Sequence, residues 1–392
     1  MVKKLLVFLV ILALLVPMSQ PVLAQGKGPA PVLGADSETA IPGQYIVVFK
    51  PGSPGNEVNN AAERVGAFGG EVLYVYDEAL SGFAARLPEP ALKGLVHNPN
   101  IEFIEVDQVI NLDATQSPAT WGIDRIDQRA LPLNNSYTYN FTGAGVTAYI
   151  IDTGIYFGHN EFGGRAVSGY DFVNNDSDAS DCNGHGTHVA GTVGGSTYGV
   201  AKGVSLVAVR VLNCTGSGTT SGVIAGINWV TSQHTTGKAV ANMSLGGSAS
   251  TALDTAVKNS IADGVVYAIA AGNNNKDACR YSPARVPTAI TVGATTSSDA
   301  RASYSNYGSC LDLFAPGSSI TSAWYTGSSA TNTISGTSMA TPHAAGVAAL
   351  YLEGHDAAPQ QVRDALVAAA TTGVVGNAGR NSPNLLLYAL VP

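Results

Sequence analysis

The sequence predicts an α/β protein built on a parallel sheet that is flanked by helices. Two observations point to this class. Residues 114–392 contain near-continuous apolar runs of strand length, and these runs alternate with segments of helical periodicity, as in buried parallel strands joined by crossover helices. The apolar fraction of 45% in a chain of 392 residues is sufficient for one large core and a second, smaller one.

The elements of the larger segment follow from these runs. The predicted strands are Val146–Asp152, Val204–Leu212, Ala239–Leu245, Val265–Ala271 and Ala289–Gly293. The predicted helices are His185–Val193, Thr220–Ser232, Ala252–Ala262, Ser338–Leu352 and Pro359–Ala369. Because strands and helices alternate along the chain, we expect the helices to cover both faces of the sheet.

A smaller domain is predicted before residue 114. Its elements are a strand at Tyr45–Phe49, a helix at Asn56–Gly66, strands at Glu71–Tyr76 and Gly82–Leu87, a helix at Glu89–Val96 and a strand at Ile101–Ile110. This β-α-β-β-α-β order is the ferredoxin-like arrangement.

The first residues, Met1–Ala24, have the features of a secretory signal. Lys3 and Lys4 precede an apolar run, and small residues follow it at a suitable cleavage position. A membrane anchor is the alternative, but the run of about twelve apolar residues is shorter than the roughly 20 that span a bilayer. We therefore expect an extracellular protein with no membrane association after signal removal.

Composition and cysteine content support an extracellular protein. Charged residues make up 12% of the chain, about half the usual share, and the net charge of −8 argues against a nucleic-acid partner. The four cysteines, an even number, suggest two disulfides, for which three pairings are possible. Free buried thiols are an alternative, and a zinc site lacks a Cys-x-x-Cys pair. We expect a monomer.

Three short segments supply an acid, an imidazole and a hydroxyl: Asp152 in Ile150–Gly154, His185 in Gly184–Thr192 and Ser338 in Gly336–Pro342. Serine is a poor nucleophile near neutral pH. Acyl transfer therefore needs a base that removes the serine proton and an acid that fixes the tautomer of the base. The three segments together predict such a triad.

Each of these residues also has an alternative interpretation. Asp152 ends an apolar run, where α/β folds place their sites, but it could cap a turn. His185 opens a helix between two glycines and could instead bind a metal with His188, although no third ligand is evident, so His188 is predicted to be structural. Ser338 could belong to an α/β-hydrolase elbow, but the aspartates that follow it, Asp356 and Asp364, both come after the last histidine, His355.

The chain order Asp, His, Ser differs from that of chymotrypsin relatives and of α/β-hydrolases. With its flanking residues, it resembles the subtilase family, and within it the branch of proteinase K and aqualysin. The resemblance implies a subtilisin-like catalytic domain at 114–392, preceded by a signal at 1–24 and a propeptide at 25–113 that acts as intramolecular chaperone and inhibitor. It implies a secreted serine endopeptidase that is made as a self-processing zymogen and acts on proteins and peptides.

The resemblance also assigns further site residues. Asn273, with the N–H of Ser338, matches the oxyanion donors of the family. The matched peptide-binding positions are Gly216, Ser217, Gly218, Ser244, Leu245, Gly246, Ala270, Ala271 and Gly272. The primary pocket they form contains no acid. Apolar or aromatic residues before the scissile bond are therefore expected, with broad tolerance.

Two structural features complete the resemblance. It implies disulfides between Cys182 and Cys214 and between Cys279 and Cys310. It also implies a calcium site formed by the Asp312 side chain and the backbone of Pro287 and Ala289, and the alternative is that Asp312 lies in a solvated turn. Two other functional classes remain open: a general secreted esterase, which would share the triad, and an inactive subtilase-fold binding module, which would lack a catalytic residue.

Overall fold

The computed structural model describes residues 28–35, 40–108 and 114–391, which divide into two compact units, Met1–Ile110 and Asn111–Pro392. The predicted signal at Met1–Ala24 lies outside the described residues, as do the proposed boundaries after residues 24 and 113, so these boundaries stay predictions. None of the helices in the described part of the chain combines the length and the apolar character needed to cross a membrane.

The first unit is a five-stranded sheet with two helices. Its strands are β1 (Val32–Leu33), β2 (Ala40–Phe49), β3 (Glu71–Tyr76), β4 (Gly82–Arg86) and β5 (Ile101–Gln108), and its helices are α1 (Gly55–Ala67) and α2 (Glu89–Leu95). The strand order is β1-β5-β2-β4-β3, antiparallel except for β1 against β5. The predicted ferredoxin-like order is confirmed, with β1 as an added strand.

The core of the first unit lies between the sheet and its helices. Val47 of β2 and Phe83 of β4 are fully buried there, and Val65 of α1 and Leu95 of α2 are buried beside them. Strand β3 lies at the edge of the sheet, where Tyr74 and Val75 are exposed.

The second unit contains the larger sheet and several separate two-stranded sheets. Its strands are β6 (Ala114–Gln116), β7 (Tyr137–Tyr139), β8 (Val146–Asp152), β9 (Ala166–Asp171), β10 (Ser205–Arg210), β11 (Lys238–Met243), β12 (Gly247–Ser248), β13 (Val266–Ala270), β14 (Tyr281–Ser282), β15 (Ile290–Thr295), β16 (Leu313–Pro316), β17 (Ile320–Ala323), β18 (Thr331–Ile334), β19 (Thr371–Thr372) and β20 (Leu385–Leu386). Its α-helices are α3 (Trp121–Ile126), α4 (His185–Gly194), α5 (Thr220–Gln233), α6 (Thr251–Ala262), α7 (Thr337–Gly354) and α8 (Pro359–Ala369). The predicted parallel sheet flanked by helices is confirmed.

The large sheet has the order β19-β20-β16-β15-β13-β11-β8-β10-β9 and is parallel except for β19 against β20. Strand β8 lies between β10 and β11, so the chain builds the sheet outward in both directions from β8. In open α/β sheets, ligands bind at the carboxyl ends of the strands where the order reverses in this way. The fold therefore places a site at the end of β8.

Alternate residues of β8 face two separate cores. Ala148 and Ile150 pack in the core that contains α4, α7 and α8, whereas Tyr149 and Ile151 pack in the core that contains α5 and α6. Because the strand is buried on both faces, its sequence is apolar apart from Thr147 and the final Asp152. This packing holds the end of β8, and the side chain of Asp152, in one position.

Candidate active site

Asp152 is the last residue of β8 and is fully buried. Its Oδ1 accepts a hydrogen bond from the Thr153 N–H at 2.8 Å. The Nδ1 atom of His185 lies 2.8 Å from Oδ1 and 3.0 Å from Oδ2. A buried carboxylate is costly without such partners, and the imidazole N–H is the partner that also fixes the histidine tautomer.

His185 begins α4, and close backbone packing explains the glycines on either side of it. Gly184 has φ of 109°, and a Cβ there would lie 2.5 Å from the Trp324 ring. A Cβ on Gly186 would lie 2.1 Å from the Gly154 carbonyl oxygen. Gly184 therefore leaves room for the Trp324 ring in a left-handed conformation, and Gly186 lets the start of α4 approach Gly154, two residues after β8.

The start of α4 is held by a second buried carboxylate, Asp181, which the sequence analysis did not identify. Its Oδ1 accepts hydrogen bonds from the Gly184 N–H and the Thr153 hydroxyl, both at 2.9 Å, and its Oδ2 accepts from the Thr187 N–H at 2.9 Å. Asp181 thus satisfies free N–H groups at the helix start and links them to the residue after Asp152.

Electrostatics prepare His185 to accept a proton. Burial alone would lower the pKa of His185, but the charge and hydrogen bond of Asp152, with the charge of Asp181, raise it above its usual value. These carboxylates therefore stabilise the imidazolium that forms when His185 takes a proton.

Two further histidines lie near this helix and are fully enclosed. His188 of α4 hydrogen-bonds through Nε2 to the Ile320 carbonyl at 3.0 Å, and its Nδ1 has no partner. His343 of α7 hydrogen-bonds through Nδ1 to the Met339 carbonyl at 2.8 Å. Burial lowers the pKa of each to about 4, so both are neutral at pH 7. Each ring is held by a backbone carbonyl inside the core, which is the arrangement expected of the structural histidine predicted at position 188.

Ser338 lies in the first turn of α7. Its hydroxyl donates to the Ser244 carbonyl at 3.1 Å, and the Ser244 hydroxyl donates to the Ser338 carbonyl at 2.8 Å. The structure thus pairs Asp152 with His185 directly but directs the Ser338 hydroxyl to Ser244. In hydrolases without substrate, the bond between nucleophile and base is often long and tightens in the complex.

The amide of Asn273 is oriented by Thr337, another residue missed at the sequence level. The Asn273 Oδ1 accepts from the Thr337 N–H at 2.8 Å and from the Thr337 hydroxyl at 2.9 Å. Because the amide oxygen is engaged in this way, the Nδ2 hydrogens are available beside Ser338. Thr337 lies inside the Gly336–Pro342 motif, so its position, though not its partner, was visible in the sequence.

Replacing Thr337 with valine is expected to lower turnover about tenfold, because the hydroxyl bond that orients Asn273 is lost while the volume is kept. The bond that the same hydroxyl accepts from the Gly272 N–H, at 3.1 Å, is lost with it. Thr341→Val is the matched control, since the Thr341 hydroxyl also bonds within α7, to the Thr337 carbonyl at 2.8 Å, but does not touch Asn273. Steady-state kinetics of both variants test this. Equal losses in the two variants would contradict a role for the Thr337 hydroxyl.

Two adjoining cavities lie along the site and share residues 245–248. A cavity of about 310 Å³ is bordered by Ser338 and Asn273, and one of about 560 Å³ is bordered by His185. All nine peptide-binding positions expected from the resemblance line one or both of them: Gly216, Ser217, Gly218, Ser244, Leu245, Gly246, Ala270, Ala271 and Gly272. Tyr281, which the sequence analysis did not single out, also lines the smaller cavity.

Both disulfides form between the pairs expected from the resemblance. Cys182–Cys214 joins the loop before His185 to the loop that contains Gly216. Asn183 strengthens this connection, because its side chain donates to the Cys214 carbonyl at 3.0 Å. Cys279–Cys310 lies beside strand β14. The first disulfide therefore links the catalytic helix to one wall of the larger cavity.

The proposed calcium ligands provide oxygen donors of the right kind. Asp312 is buried, and its Oδ2 accepts from the Thr291 N–H at 2.7 Å. The Thr288 hydroxyl, between Pro287 and Ala289, is buried without a partner. One carboxylate with carbonyl and hydroxyl oxygens suits Ca²⁺. However, Arg363 Nη2 lies 2.5 Å from Asp312 Oδ1, so a cation would compete with this guanidinium. Within the described ranges, no cluster of three or more His, Cys, Asp or Glu could hold a metal.

Comparisons with known proteins place the chain among proteases. The subtilase family model matches residues 143–384, and the peptidase inhibitor I9 model matches residues 44–113. The chain is 59% identical over 379 residues to "Extracellular serine proteinase" of Thermus sp. (strain Rt41A), covering 92% of each chain. It is 56% identical to "Alkaline serine exoprotease A" of Vibrio alginolyticus over 378 residues, covering 92% of this chain and 70% of that one.

A solved structure shows the same fold. A cold-adapted subtilisin-like serine proteinase superimposes with a TM-score of 0.69 at 63% sequence identity, covering 70% of this chain and all of that one. The family model alone spans well over half of the chain. The chain therefore belongs to the subtilase family, and it is a serine endopeptidase.

Proposed function

We propose that the protein is a secreted endopeptidase that is made as a self-processing zymogen and prefers apolar or aromatic residues before the scissile bond. The observation that best supports this preference is the smaller cavity beside Ser338, whose described lining residues include no charged side chain. Apolar residues such as Leu245, Ala271 and Ala284, together with Tyr281, form much of its wall. Burying a charged substrate side chain there without a partner would be costly.

The proposed mechanism assigns one role to each residue of the site. Ser338 attacks the scissile carbonyl while His185 takes its proton, and Asp152 stabilises the imidazolium that results. Asn273 Nδ2 and the Ser338 N–H donate to the oxyanion of the tetrahedral intermediate. His185 then gives this proton to the leaving amine as the C–N bond breaks. Water attacks the acyl-enzyme while His185 takes a proton from it, and His185 returns that proton to the Ser338 oxygen as the ester bond breaks and the acid product leaves.

Substrate is proposed to bind as an added strand between two backbone edges. Residues 216–218 and 244–246 both border the larger cavity, and the glycines among them leave the backbone accessible. Main-chain hydrogen bonds to these edges give affinity for any extended peptide. Side chains at alternate positions then reach the cavities and give the preference.

The first unit is proposed to be the propeptide, at residues 25–113. Support comes from the match of residues 44–113 to the peptidase inhibitor I9 model. The name of the Thermus relative, "Extracellular serine proteinase", supports the proposed secretion. Self-cleavage before Ala114 places Asp113 next to the scissile bond, and an acid fits an uncharged pocket poorly. Tethering offsets this mismatch through high effective concentration. The released unit is proposed to stay bound as an inhibitor until it is degraded.

Peptides that differ only in the residue before the scissile bond test the proposed preference. We expect kcat/KM for phenylalanine or leucine at that position to exceed that for aspartate or lysine by at least about a hundredfold, since an unpaired charge costs several kcal/mol. Matched esters are the control for a general esterase. Equal rates for the apolar and charged peptides would overturn the preference.

We also propose that Ca²⁺ binds at Asp312 with the carbonyls of Pro287 and Ala289, where it would stabilise the fold and take no part in the reaction. The ion would hold strand β16 against the segment before β15. At 100 times its Kd, a ligand of the native state stabilises it by about 2.7 kcal/mol.

Asp312→Asn is expected to reduce tightly bound calcium by one ion per chain, measured by elemental analysis after desalting. Arg363→Gln, which removes the competing cation, is expected to tighten calcium binding at the same site. In the presence of calcium, the half-life of thermal inactivation should shorten in Asp312→Asn and lengthen in Arg363→Gln. Unchanged calcium content in Asp312→Asn would contradict the site.

A further inference from the structure

Strand β3 at the edge of the first unit is weakly held. It pairs with β4 alone, and a bulge between Val72 and Tyr74 interrupts that ladder. The exposed fraction is 66% for Tyr74 and 49% for Val75. Each backbone hydrogen bond contributes only about 1 kcal/mol net, because water replaces it on opening. The end of this strand can therefore separate from the sheet at low cost.

The segment after β3 extends this accessible region. Residues 77–81 form neither helix nor strand before β4 begins at Gly82, and Asp77, Glu78 and Ala79 are exposed. A protease cleft needs several consecutive residues in an extended form. Residues 73–81 supply such a stretch once the end of β3 is released.

The side chains of this stretch match the cavities of the second unit. Tyr76 is aromatic and would enter the uncharged cavity beside Ser338. In an extended peptide, alternate side chains point the same way, so Leu73 and Val75 would face the larger cavity. The apolar side chains of that cavity are those of Leu212, Val223, Leu245 and Leu253.

A competing bond, after Phe68, is less available. Phe68 is 60% exposed, but its turn is held by three backbone bonds, from the N–H groups of Phe68, Gly69 and Gly70 to carbonyls of α1. Cleavage there would place Val65 in the larger cavity. Val65 is only 2% exposed in the core, so binding would require the last turn of α1 to unfold.

We infer that the Tyr76–Asp77 bond is the site at which a second, mature enzyme molecule makes the first internal cut in the released N-terminal unit. The C–N bond between Tyr76 and Asp77 breaks, and one water molecule supplies OH to the Tyr76 carbonyl and H to the Asp77 amine. The cut separates β3 from β4 and so divides the sheet. This inference rests on the proposed function, and it identifies the step that ends inhibition.

The test uses the full-length Ser338→Ala chain as substrate for a trace of mature wild-type enzyme, with mass spectrometry and N-terminal sequencing of samples taken over time. The first new N-terminus inside residues 40–108 is expected to be Asp77. A first cut after Phe68, or after any other residue of this range, would overturn the inference.

Variants in the same chain sharpen the result. Tyr76→Asp is expected to slow the Asp77 cut at least tenfold, and Tyr76→Phe is expected to retain it. Tyr74→Asp is the matched control, because it adds the same charge to the same strand at a more exposed position, and the Asp77 cut should persist. If Tyr76→Asp merely loosened the fold, cutting after Phe68 would accelerate in that variant. If the rate of the cut before Asp77 were unchanged in Tyr76→Asp, the inference would be overturned.

The outcome is separable from the proposed function. An enzyme that cleaves synthetic peptides after phenylalanine but spares Tyr76–Asp77 contradicts the inference alone. An enzyme that shows no such peptide preference contradicts the proposed function itself.

Discussion

The Ser338→Ala variant is expected to lose about 10⁶-fold in turnover, the loss found when the nucleophile of subtilisin is removed, while keeping its fold. The removed hydroxyl makes one hydrogen bond, to the Ser244 carbonyl, and it borders a cavity where water can replace it. No core contact is lost. Because the proposed self-cleavage uses the same hydroxyl, the variant should also accumulate as an uncut precursor, visible as an intact mass that includes residues 25–113.

Ser335→Ala is the matched control for this experiment. Ser335 lies three residues earlier, in the connection between β18 and α7, where its hydroxyl accepts from the Ser319 N–H at 2.8 Å. Its removal should leave turnover within severalfold and processing intact. Stoichiometric labelling of the Ser338→Ala variant by a fluorophosphonate would mean that another serine is the nucleophile. Normal maturation of Ser338→Ala in a protease-free host would contradict self-processing.

Asp152→Asn is expected to lower turnover about 10⁴-fold at neutral pH, as the equivalent change does in another serine protease triad. An amide can donate to His185 Nδ1, which favours the tautomer that leaves Nε2 protonated and unable to act as a base. The variant also loses the charge that raises the pKa of His185. Activity requires neutral His185, so the acidic limb of the residual activity should move to lower pH.

The pH profile of kcat/KM measures this shift, and Asp171→Asn provides the control. Asp171 is also a fully buried carboxylate at a strand end, but its partner is Arg210, at 2.8 Å. That variant should lose thermal stability without moving the acidic limb. If the acidic limb of the kcat/KM profile lies at the same pH in Asp152→Asn as in the wild type, Asp152 does not set the pKa of His185.

The strands that the sequence predicted well are those buried on both faces. Strand β8 was predicted at its observed bounds because five of its seven residues are apolar and Asp152 marks its end. Strand β9 was missed because it is an edge strand, with Ser168 and Gly169 at its centre and an exposed Val167. Strand β16 was missed because its four residues end at Pro316 and form no run long enough to detect.

A similar distinction applies to the site. Asp152, His185 and Ser338 lie in dense local motifs, and the parallel order of the strands brings these segments together. The groups that orient them depend on long-range contacts. Thr337 reaches Asn273 across 64 positions, and Arg363 reaches Asp312 across 51. Such pairs carry no periodicity or spacing signal, so only the folded structure shows them.

The two enclosed histidines, His188 and His343, set a limit on acid tolerance. Each has a pKa of about 4 in the fold and about 6.5 when unfolded, so only the unfolded chain takes up protons as the pH falls between these values. Each group thereby costs the fold up to about 3 kcal/mol by pH 4. Mild acid first stops catalysis reversibly, by protonating His185. Stronger acid destabilises the packing of α4 and α7. Molecules that open in this way become substrates for other enzyme molecules once the pH returns to the range in which His185 is neutral.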